Sequence, residues 1–159
     1  MQWSKLRSHL RTFVTPDLRK RIDFHLTNYR KLGEDANEFL ITLDGQKVFS
    51  ASYSRHNIAS YIVARRTGLS QWGDGKEANS LEHILTEREI HAPTDITSSI
   101  RTYFDLDPQV ALRSSDPILK ALAIIDRRIG LRTLKSLEIA DDEHSLVKTL
   151  YALRLESLD

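Results

Sequence analysis

The stretch E-F-L-I-T-L-D-G-Q-K-V-F-S-A-S-Y (residues 38–53) decides the fold, because it reads as two strands joined by a tight turn. Phe39, Ile41 and Leu43 recur at every second position, which is the period of a strand with one buried face. Asp44-Gly45 follows, and this dipeptide favours a type I′ turn, in which both central residues take a positive φ angle. The remainder of the stretch is therefore expected to return as an antiparallel strand.

A strand of the same period precedes this hairpin, in R-I-D-F-H-L-T-N-Y-R (residues 21–30). Ile22, Phe24 and Leu26 mark its apolar side. Together with the hairpin, it predicts a three-stranded antiparallel meander that has one apolar face and one polar face. A sheet of three strands is marginal alone, so it needs a layer packed on its apolar face.

Helical periodicity dominates the rest of the chain. Residues 2–13 read as an amphipathic helix, and residues 54–159 read as mainly helical. We therefore predict an α+β fold, in which an N-terminal helix and the meander are followed by a helical C-terminal half packed on one sheet face. The length favours a single domain over residues 1–159, with the helix and the meander in residues 1–53.

The first helix after the sheet lies in R-H-N-I-A-S-Y-I-V-A-R-R-T (residues 55–67). Ile58, Tyr61 and Ile62 fall on one side of this helix. Gly68 follows it, at the position where a left-handed residue commonly ends a helix. The sequence therefore predicts a capped helix with one apolar side.

The stretch D-P-I-L-K-A-L-A-I-I-D-R-R-I-G-L-R-T-L (residues 116–134) predicts a buried helix that ends at a glycine. Its apolar stripe continues to Ile129, and Gly130 is expected to take the left-handed conformation that closes a helix. Asp126 borders this stripe, so its carboxylate should be buried and paired. We predict a structural ion pair between Asp126 and Arg132, across the break, or an arginine of the sheet.

The composition excludes several functional classes. There is no cysteine, which excludes disulfides, thiolate metal sites and cysteine nucleophiles, and which fits a reducing compartment. No signal-peptide core or stretch of 18 apolar residues occurs, so we expect a cytoplasmic protein with no membrane partner. No phosphate-binding loop, dinucleotide fingerprint, serine-hydrolase elbow or zinc-type histidine spacing occurs either, and we expect no metal and no cofactor.

The net charge of +1 hides an asymmetry along the chain. Residues 1–67 hold 12 Lys and Arg against 6 Asp and Glu, whereas residues 68–159 hold 11 against 16. A basic first half can bind an anion, or it can face the acidic half of its own or a neighbouring chain. Because no catalytic motif accompanies this asymmetry, the first hypothesis is a non-enzymatic protein-interaction module, which binds an unknown partner or itself.

The second hypothesis is a nucleic-acid-binding protein that uses the basic first half. A strand-borne basic surface with aromatic side chains can bind single-stranded nucleic acid. Trp72, in a polar loop with glycines, is either a plug on the core or an exposed contact. The candidate binding residues are Arg19, Lys20, Arg21, Arg30, Lys31, Arg65, Arg66 and Trp72.

The third hypothesis is a hydrolase on the polar face of the sheet. Asp23, His25, Thr27 and Tyr29 alternate along one strand, so they share that face. A histidine between a carboxylate and a hydroxyl can act as a general base that the carboxylate orients. Asp23, His25 and Tyr29 are therefore the candidate catalytic residues, provided that no helix covers them. An ordinary polar sheet face is the simpler interpretation.

Three stretches resemble a family of small uncharacterised bacterial proteins. They are the opening W-S-K-L (residues 3–6), the strand with H-x-T-x-Y-R (residues 25–30), and L-A-I-I-D-R-R-I-G-L-R-T-L (residues 122–134). The resemblance covers most of the chain. It implies a bacterial, cytoplasmic protein with no assigned activity, so it carries over no catalytic residue.

Overall fold

A computed structural model describes residues 2–27, 37–70 and 74–157 of the chain. It confirms the predicted α+β fold, with an N-terminal helix, a three-stranded sheet and a helical C-terminal half. In chain order, the elements of the described residues are α1 (Trp3–Phe13), α2 (Pro16–Arg19), β1 (Ile22–Thr27), β2 (Glu38–Leu43), β3 (Gln46–Ser52), α3 (Tyr53–Thr67), α4 (Gly75–Glu87), α5 (Pro93–Asp105), α6 (Pro108–Leu112), α7 (Pro117–Ile125), α8 (Leu131–Lys135) and α9 (Ser145–Glu156).

The sheet is an antiparallel meander in the order β1-β2-β3, as predicted. Phe24 pairs with Ile41, and Ile41 pairs with Phe49, so these apolar positions of the three strands share one face. At the turn between β2 and β3, Asp44 has a φ angle of 51° and Gly45 one of 81°. These are the two positive angles of the expected type I′ turn, which explains why an Asp-Gly dipeptide occupies it.

Helices α1, α5 and α9 contact the strands and supply the layer that the small sheet needs. Phe24 and Phe39 of the sheet are fully buried. Trp3 of α1 packs edge-on against Phe39, with the ring centroids 5.7 Å apart. Since full burial of such a side chain contributes roughly 1.5–3 kcal/mol, these contacts stabilise a sheet that would be marginal by itself.

Helix α7 lies at the centre of the helical half. It contacts α5, α6 and α9, and all of its residues except Lys120 are buried. Asp116 caps its start by accepting the N–H groups of Ile118 (2.8 Å) and Leu119 (3.4 Å). Lys120 pairs with Glu143, just before α9. A helix that is apolar on all sides belongs inside a core, and α7 occupies that position.

The end of α7 differs from the prediction, because the helix stops at Ile125 and not at Gly130. The N–H of Thr15 donates to the Ile125 carbonyl (3.0 Å), and the N–H of Arg127 donates to the Phe13 carbonyl (2.8 Å). Gly130 is extended, with φ −76° and ψ 157°, and it precedes α8. The predicted left-handed cap was wrong because pairing with the segment after α1 satisfies backbone groups at this helix end.

Asp126 is fully buried, and its ion pair is made with a different arginine from the predicted one. Its carboxylate accepts hydrogen bonds from the Arg128 guanidinium (2.7 Å) and from the Tyr103 hydroxyl (2.5 Å). The turn after α7 brings Arg128 back over the carboxylate and over the Phe13 ring, 4.4 Å from its centroid. The predicted partner, Arg132, is exposed on α8. The pair therefore forms within the turn and not across the break.

Helices α3 and α4 form a hairpin beside this core, and we call it the α3–α4 hairpin. Among the described residues, Val63, Leu81 and Leu85 are buried in it as a cluster separate from the main core. As predicted, Gly68 ends α3 in the left-handed conformation, with a φ angle of 74° and its N–H bonded to the Ala64 carbonyl (2.9 Å). Because this cluster contains few buried side chains, we expect other contacts to help hold the hairpin against the main core.

Candidate functional site

The polar face of the sheet carries Asp23 and His25 on the same side of β1. The Asp23 carboxylate accepts hydrogen bonds from Arg7 (3.0 Å) and Arg11 (2.9 Å) of α1. Partial burial disfavours the charged form of Asp23, but the hydrogen bonds from Arg7, the backbone and Arg11 outweigh it and hold the pKa of Asp23 below its usual range. This carboxylate therefore links α1 to β1.

His25 contacts a hydroxyl more closely than it contacts the carboxylate. Its Nε2 lies 3.1 Å from Thr42 Oγ1 and 4.0 Å from Asp23 Oδ2, and 40% of the His25 side chain is exposed. The pair thus lacks the short carboxylate contact by which an acid orients a catalytic imidazole. Tyr29, the third candidate catalytic residue, lies outside the described residues.

The basic residues proposed for nucleic-acid binding lie in separate places. Arg19 donates to the Val14 carbonyl (3.0 Å) at the end of α1, and Arg21 pairs with Asp44 (2.7 Å) at the hairpin turn. Lys20 is exposed beside them, whereas Arg65 and Arg66 are exposed at the end of α3. Outside the described residues lie Arg30, Lys31 and Trp72.

Helix α3 exposes three large apolar side chains, which we call the apolar side of α3. Ile58, Tyr61 and Ile62 share one side of the helix, as the sequence predicts, and are 62%, 57% and 41% exposed. The opposite side is buried through Ser60 and Val63, where α3 packs against α4. Three large apolar side chains of α3 therefore face solvent, together with Arg65, which donates to the Tyr61 hydroxyl (3.3 Å) on the same side.

A cleft of about 690 Å³ opens between α4, the start of α5, and the residues that precede α7 and α9. We call it the acidic cleft. Within the part of the chain that the structure describes, its lining includes seven carboxylates and three histidines but no lysine or arginine. The volume lies within the range of small-molecule sites, roughly 300–1,000 Å³. The charge favours a cation over an anion as its occupant.

Two histidines meet in the wall of the acidic cleft. His91 and His144 are 8% and 7% exposed, and their Nε2 atoms lie 3.0 Å apart. The Leu146 N–H donates to His144 Nδ1 (3.1 Å), so a neutral His144 carries its proton on Nε2 and donates it to His91. Burial and the neighbouring His144 lower the pKa of His91 to about 4, and burial lowers the pKa of His144. Both rings are therefore neutral near neutral pH.

Three helices bring together His56 of α3, Glu82 of α4 and Asp95 of α5, and we call these residues the triad. One ligand atom from each lies within 4.8 Å of the others. His56 Nε2 is 3.2 Å from Glu82 Oε1, and Asp95 accepts the Ala92 N–H (3.2 Å) at the start of α5. The hydrogen bond to Glu82 raises the pKa of His56. Desolvation of its carboxyl group, reinforced by the charge of Glu82, raises the pKa of Asp95, although both carboxylates lie at the exposed surface.

Sequence reasoning did not find the triad or the histidine pair. Motif patterns detect ligands that share a helix or a loop, but the triad takes one residue from each of three helices. His83 and Glu87, four residues apart on α4, pair at 3.3 Å on its exposed surface, but they do not belong to the triad. The acidic residues in α4, in α5 and in the loop that joins them are the remaining signal in the sequence, but they do not specify which residues meet.

Comparison with known proteins places the chain in a family of uncharacterised function. A family model described as the SF0329 protein family matches residues 2–155. No curated protein and no solved structure matches the chain. Within residues 2–27, 37–70 and 74–157, no helix combines the length and the apolar character needed to cross a bilayer. Because the matched region runs from α1 into α9, the chain belongs to the SF0329 protein family.

Proposed function

We propose that the protein is a non-enzymatic interaction module that binds a second copy of itself through the apolar side of α3. The observation that carries this proposal is the exposure of Ile58, Tyr61 and Ile62 on one side of a single helix. Scattered exposed apolar residues are ordinary, but neighbouring large ones mark a contact surface.

The fold itself does not require these side chains to be apolar. The opposite side of α3 already holds the helix in place, through the buried Ser60 and Val63 and through the contact of His56 with Glu82. A polar residue at Ile58 would leave those contacts unchanged. The exposure of the apolar side of α3 therefore supports a contact with something other than the described residues.

Charge favours a second copy as the partner. Helix α3 carries Arg55, Arg65 and Arg66 and no acidic residue, whereas the neighbouring α4 carries three glutamates and one lysine. Each copy thus carries a basic helix and an acidic helix, so opposite charges are available beside a contact whose centre is apolar.

Size-exclusion chromatography with light scattering tests the proposal. We expect the wild-type chain to form a dimer at micromolar concentration, and the double variant Ile58→Glu, Ile62→Glu to be a monomer with an unchanged circular dichroism spectrum. Val110→Glu is the matched control, because Val110 is 57% exposed on α6, away from the proposed interface. Added salt should weaken the dimer only in part, because apolar contacts are not screened. A monomeric wild-type chain, or a dimeric double variant, contradicts the proposal.

The proposal includes a cytoplasmic location in a bacterium. The sequence contains no cysteine, which suits a reducing compartment, and the resemblance described above implies a bacterial source. Fractionation of cells that carry the gene, with detection of the chain by antibody, tests the location. Recovery of the chain with the periplasmic fraction would contradict it.

A further inference from the structure

We infer that the triad of His56, Glu82 and Asp95 binds one divalent metal cation of the zinc and manganese class. Ligand atoms about 2.0–2.2 Å from one tetrahedral ion lie about 3.3–3.6 Å from one another. The ligand atoms of the triad lie within 4.8 Å of one another, so side-chain movements of about 1 Å would close the site. No rearrangement of the helices is needed.

The donor atoms select the kind of cation. One imidazole nitrogen and two carboxylate groups suit zinc, manganese and ferrous ions. Calcium and magnesium prefer oxygen donors alone, and soft copper(I) prefers sulfur. Three protein ligands leave at least one coordination position for water or for a ligand that enters from the acidic cleft.

The charges around the triad also favour a cation. Two other carboxylates of the described chain show the usual arrangement, since Asp126 pairs with Arg128 and Glu143 pairs with Lys120. Glu82 and Asp95 instead share a single imidazole, and the described lining of the adjoining cleft contains no lysine or arginine. A divalent ion would supply positive charge where two carboxylates repel each other.

Cation binding would have a structural consequence for the α3–α4 hairpin. His56 and Glu82 belong to the hairpin, whereas Asp95 belongs to α5, which packs in the main core. The ion would therefore tie the hairpin to the rest of the molecule. A ligand that binds only the folded state also raises the stability by mass action, so the melting temperature should rise with cation concentration.

A protonated His56 between two carboxylates is the competing interpretation of the same geometry. In that case the triad is an ordinary ion pair, which takes up no cation and whose stability is indifferent to zinc or manganese. The interface proposed above is separate from both interpretations, because the His56 side chain is 13% exposed on the side of α3 opposite Ile58. The double variant at Ile58 and Ile62 should therefore bind metal as the wild type does.

Isothermal titration calorimetry of the full chain, freed of metal with EDTA, is the test. ZnCl₂ and MnCl₂ should each bind with a stoichiometry of one, and MgCl₂ more weakly. Glu82→Gln and Asp95→Asn should weaken zinc binding at least about tenfold. Glu87→Gln is the matched control, because Glu87 lies on the same helix and lines the same cleft but is outside the triad. Its affinity should stay within a factor of two of the wild type.

Cobalt(II) supplies a second readout that does not depend on stability. Its visible absorption reports the coordinating atoms, so His56→Gln should change the spectrum of the bound ion. Failure of the wild-type chain to take up zinc, manganese or cobalt overturns the inference. Binding that survives both carboxylate substitutions, or that is lost in Glu87→Gln, overturns it as well. If Asp95→Asn fails to fold, Glu82→Gln at an exposed position of α4 still decides the question.

Discussion

The main core and the α3–α4 hairpin differ in the number of apolar side chains that each of them buries. Among the described residues, the main core buries 28 apolar side chains from the sheet and the surrounding helices, whereas the separate cluster of the hairpin buries three. The hairpin nevertheless exposes Ile58, Tyr61 and Ile62. A region with few buried contacts is the one that opens or moves most easily. The main core is thus stable through its own side chains, and the hairpin is the part of the molecule whose stability we expect to depend most on a partner or an ion.

The largest effect is expected from Asp126→Ala in the main core. The substitution leaves the Arg128 guanidinium without its carboxylate and the Tyr103 hydroxyl without its acceptor, at a position that is fully buried. Breaking a buried pair by removing one partner costs about 3–5 kcal/mol of unfolding free energy, and the 38% exposure of the Arg128 side chain places this loss at the lower end, about 3 kcal/mol. Urea denaturation followed by circular dichroism measures this loss.

Arg132→Ala is the control for that measurement, because Arg132 was the partner predicted from the sequence. Its side chain is exposed on α8, so its removal should change the unfolding free energy by less than about 0.5 kcal/mol. Wild-type stability in Asp126→Ala, or an equal loss in Arg132→Ala, would contradict the pairing of Asp126 with Arg128.

The next largest effect is a dependence of the unfolding free energy on pH, which we assign to His91 in the wall of the acidic cleft. The pKa of His91 is about 4 in the folded chain, against 6.5 ordinarily, because burial and then His144 disfavour its charged form. Between these two values the unfolded chain binds more protons than the folded one. The contribution of His91 to the unfolding free energy is therefore fully present above pH 6.5. It is lost as the pH falls toward 4, which lowers the unfolding free energy by up to about 3 kcal/mol.

Denaturation across this pH range tests the assignment. The stability of His91→Leu should fall less steeply with decreasing pH than that of the wild type. The charges of Glu89 and Asp116 also act on His91, and both carboxylates are present in the wild type and in the variant. Thr86→Ala should keep the wild-type slope, because Thr86 lines the same cleft and carries no titratable group. Equal slopes in the wild type and His91→Leu would refute the effect.

A smaller loss is expected from Leu85→Ala in the α3–α4 hairpin. Leu85 is fully buried, so its truncation leaves a cavity. Such substitutions cost about 2–5 kcal/mol, and the cost is lowest where the surroundings can collapse. Because the cluster of the hairpin is small, we expect a loss of about 2 kcal/mol. Native-state hydrogen exchange should show the loss in the amides of α3 and α4 and not in those of α7, whereas a uniform loss would mean that the hairpin and the core unfold as one unit.

The outcome of the sequence predictions follows the range over which each interaction acts. The type I′ turn at Asp44 depends on the backbone preferences of adjacent residues, and it was predicted correctly. The end of α7 at Ile125 depends on pairing with the segment after α1, which is distant in sequence, and it was predicted wrongly at Gly130. A local glycine signal cannot report that a distant strand-like segment competes with the helix.

The candidate site was harder to predict for the same reason. Alternation placed Asp23 and His25 on one face of a strand, but only the packing of α1 shows that the Asp23 carboxylate is taken by arginines. The triad joins residues of three helices, so no spacing along the chain identifies it. The sequence showed that Ile58, Tyr61 and Ile62 share one side of α3, but it could not show that this side faces solvent. Periodicity says which residues share a side, and only the tertiary contacts say which side is buried.

The smallest effect is expected from Ile58→Ala, measured at a concentration at which the chain is monomeric. Ile58 is 62% exposed, so its truncation should change the unfolding free energy by less than about 0.5 kcal/mol. Ile124→Ala is the matched substitution in α7, where the side chain is fully buried and the expected loss is about 2–5 kcal/mol. A large loss at Ile58 in the monomer would mean that the apolar side of α3 stabilises the fold itself. A small loss, together with a weaker dimer, would leave the second copy as the reason for its apolar character.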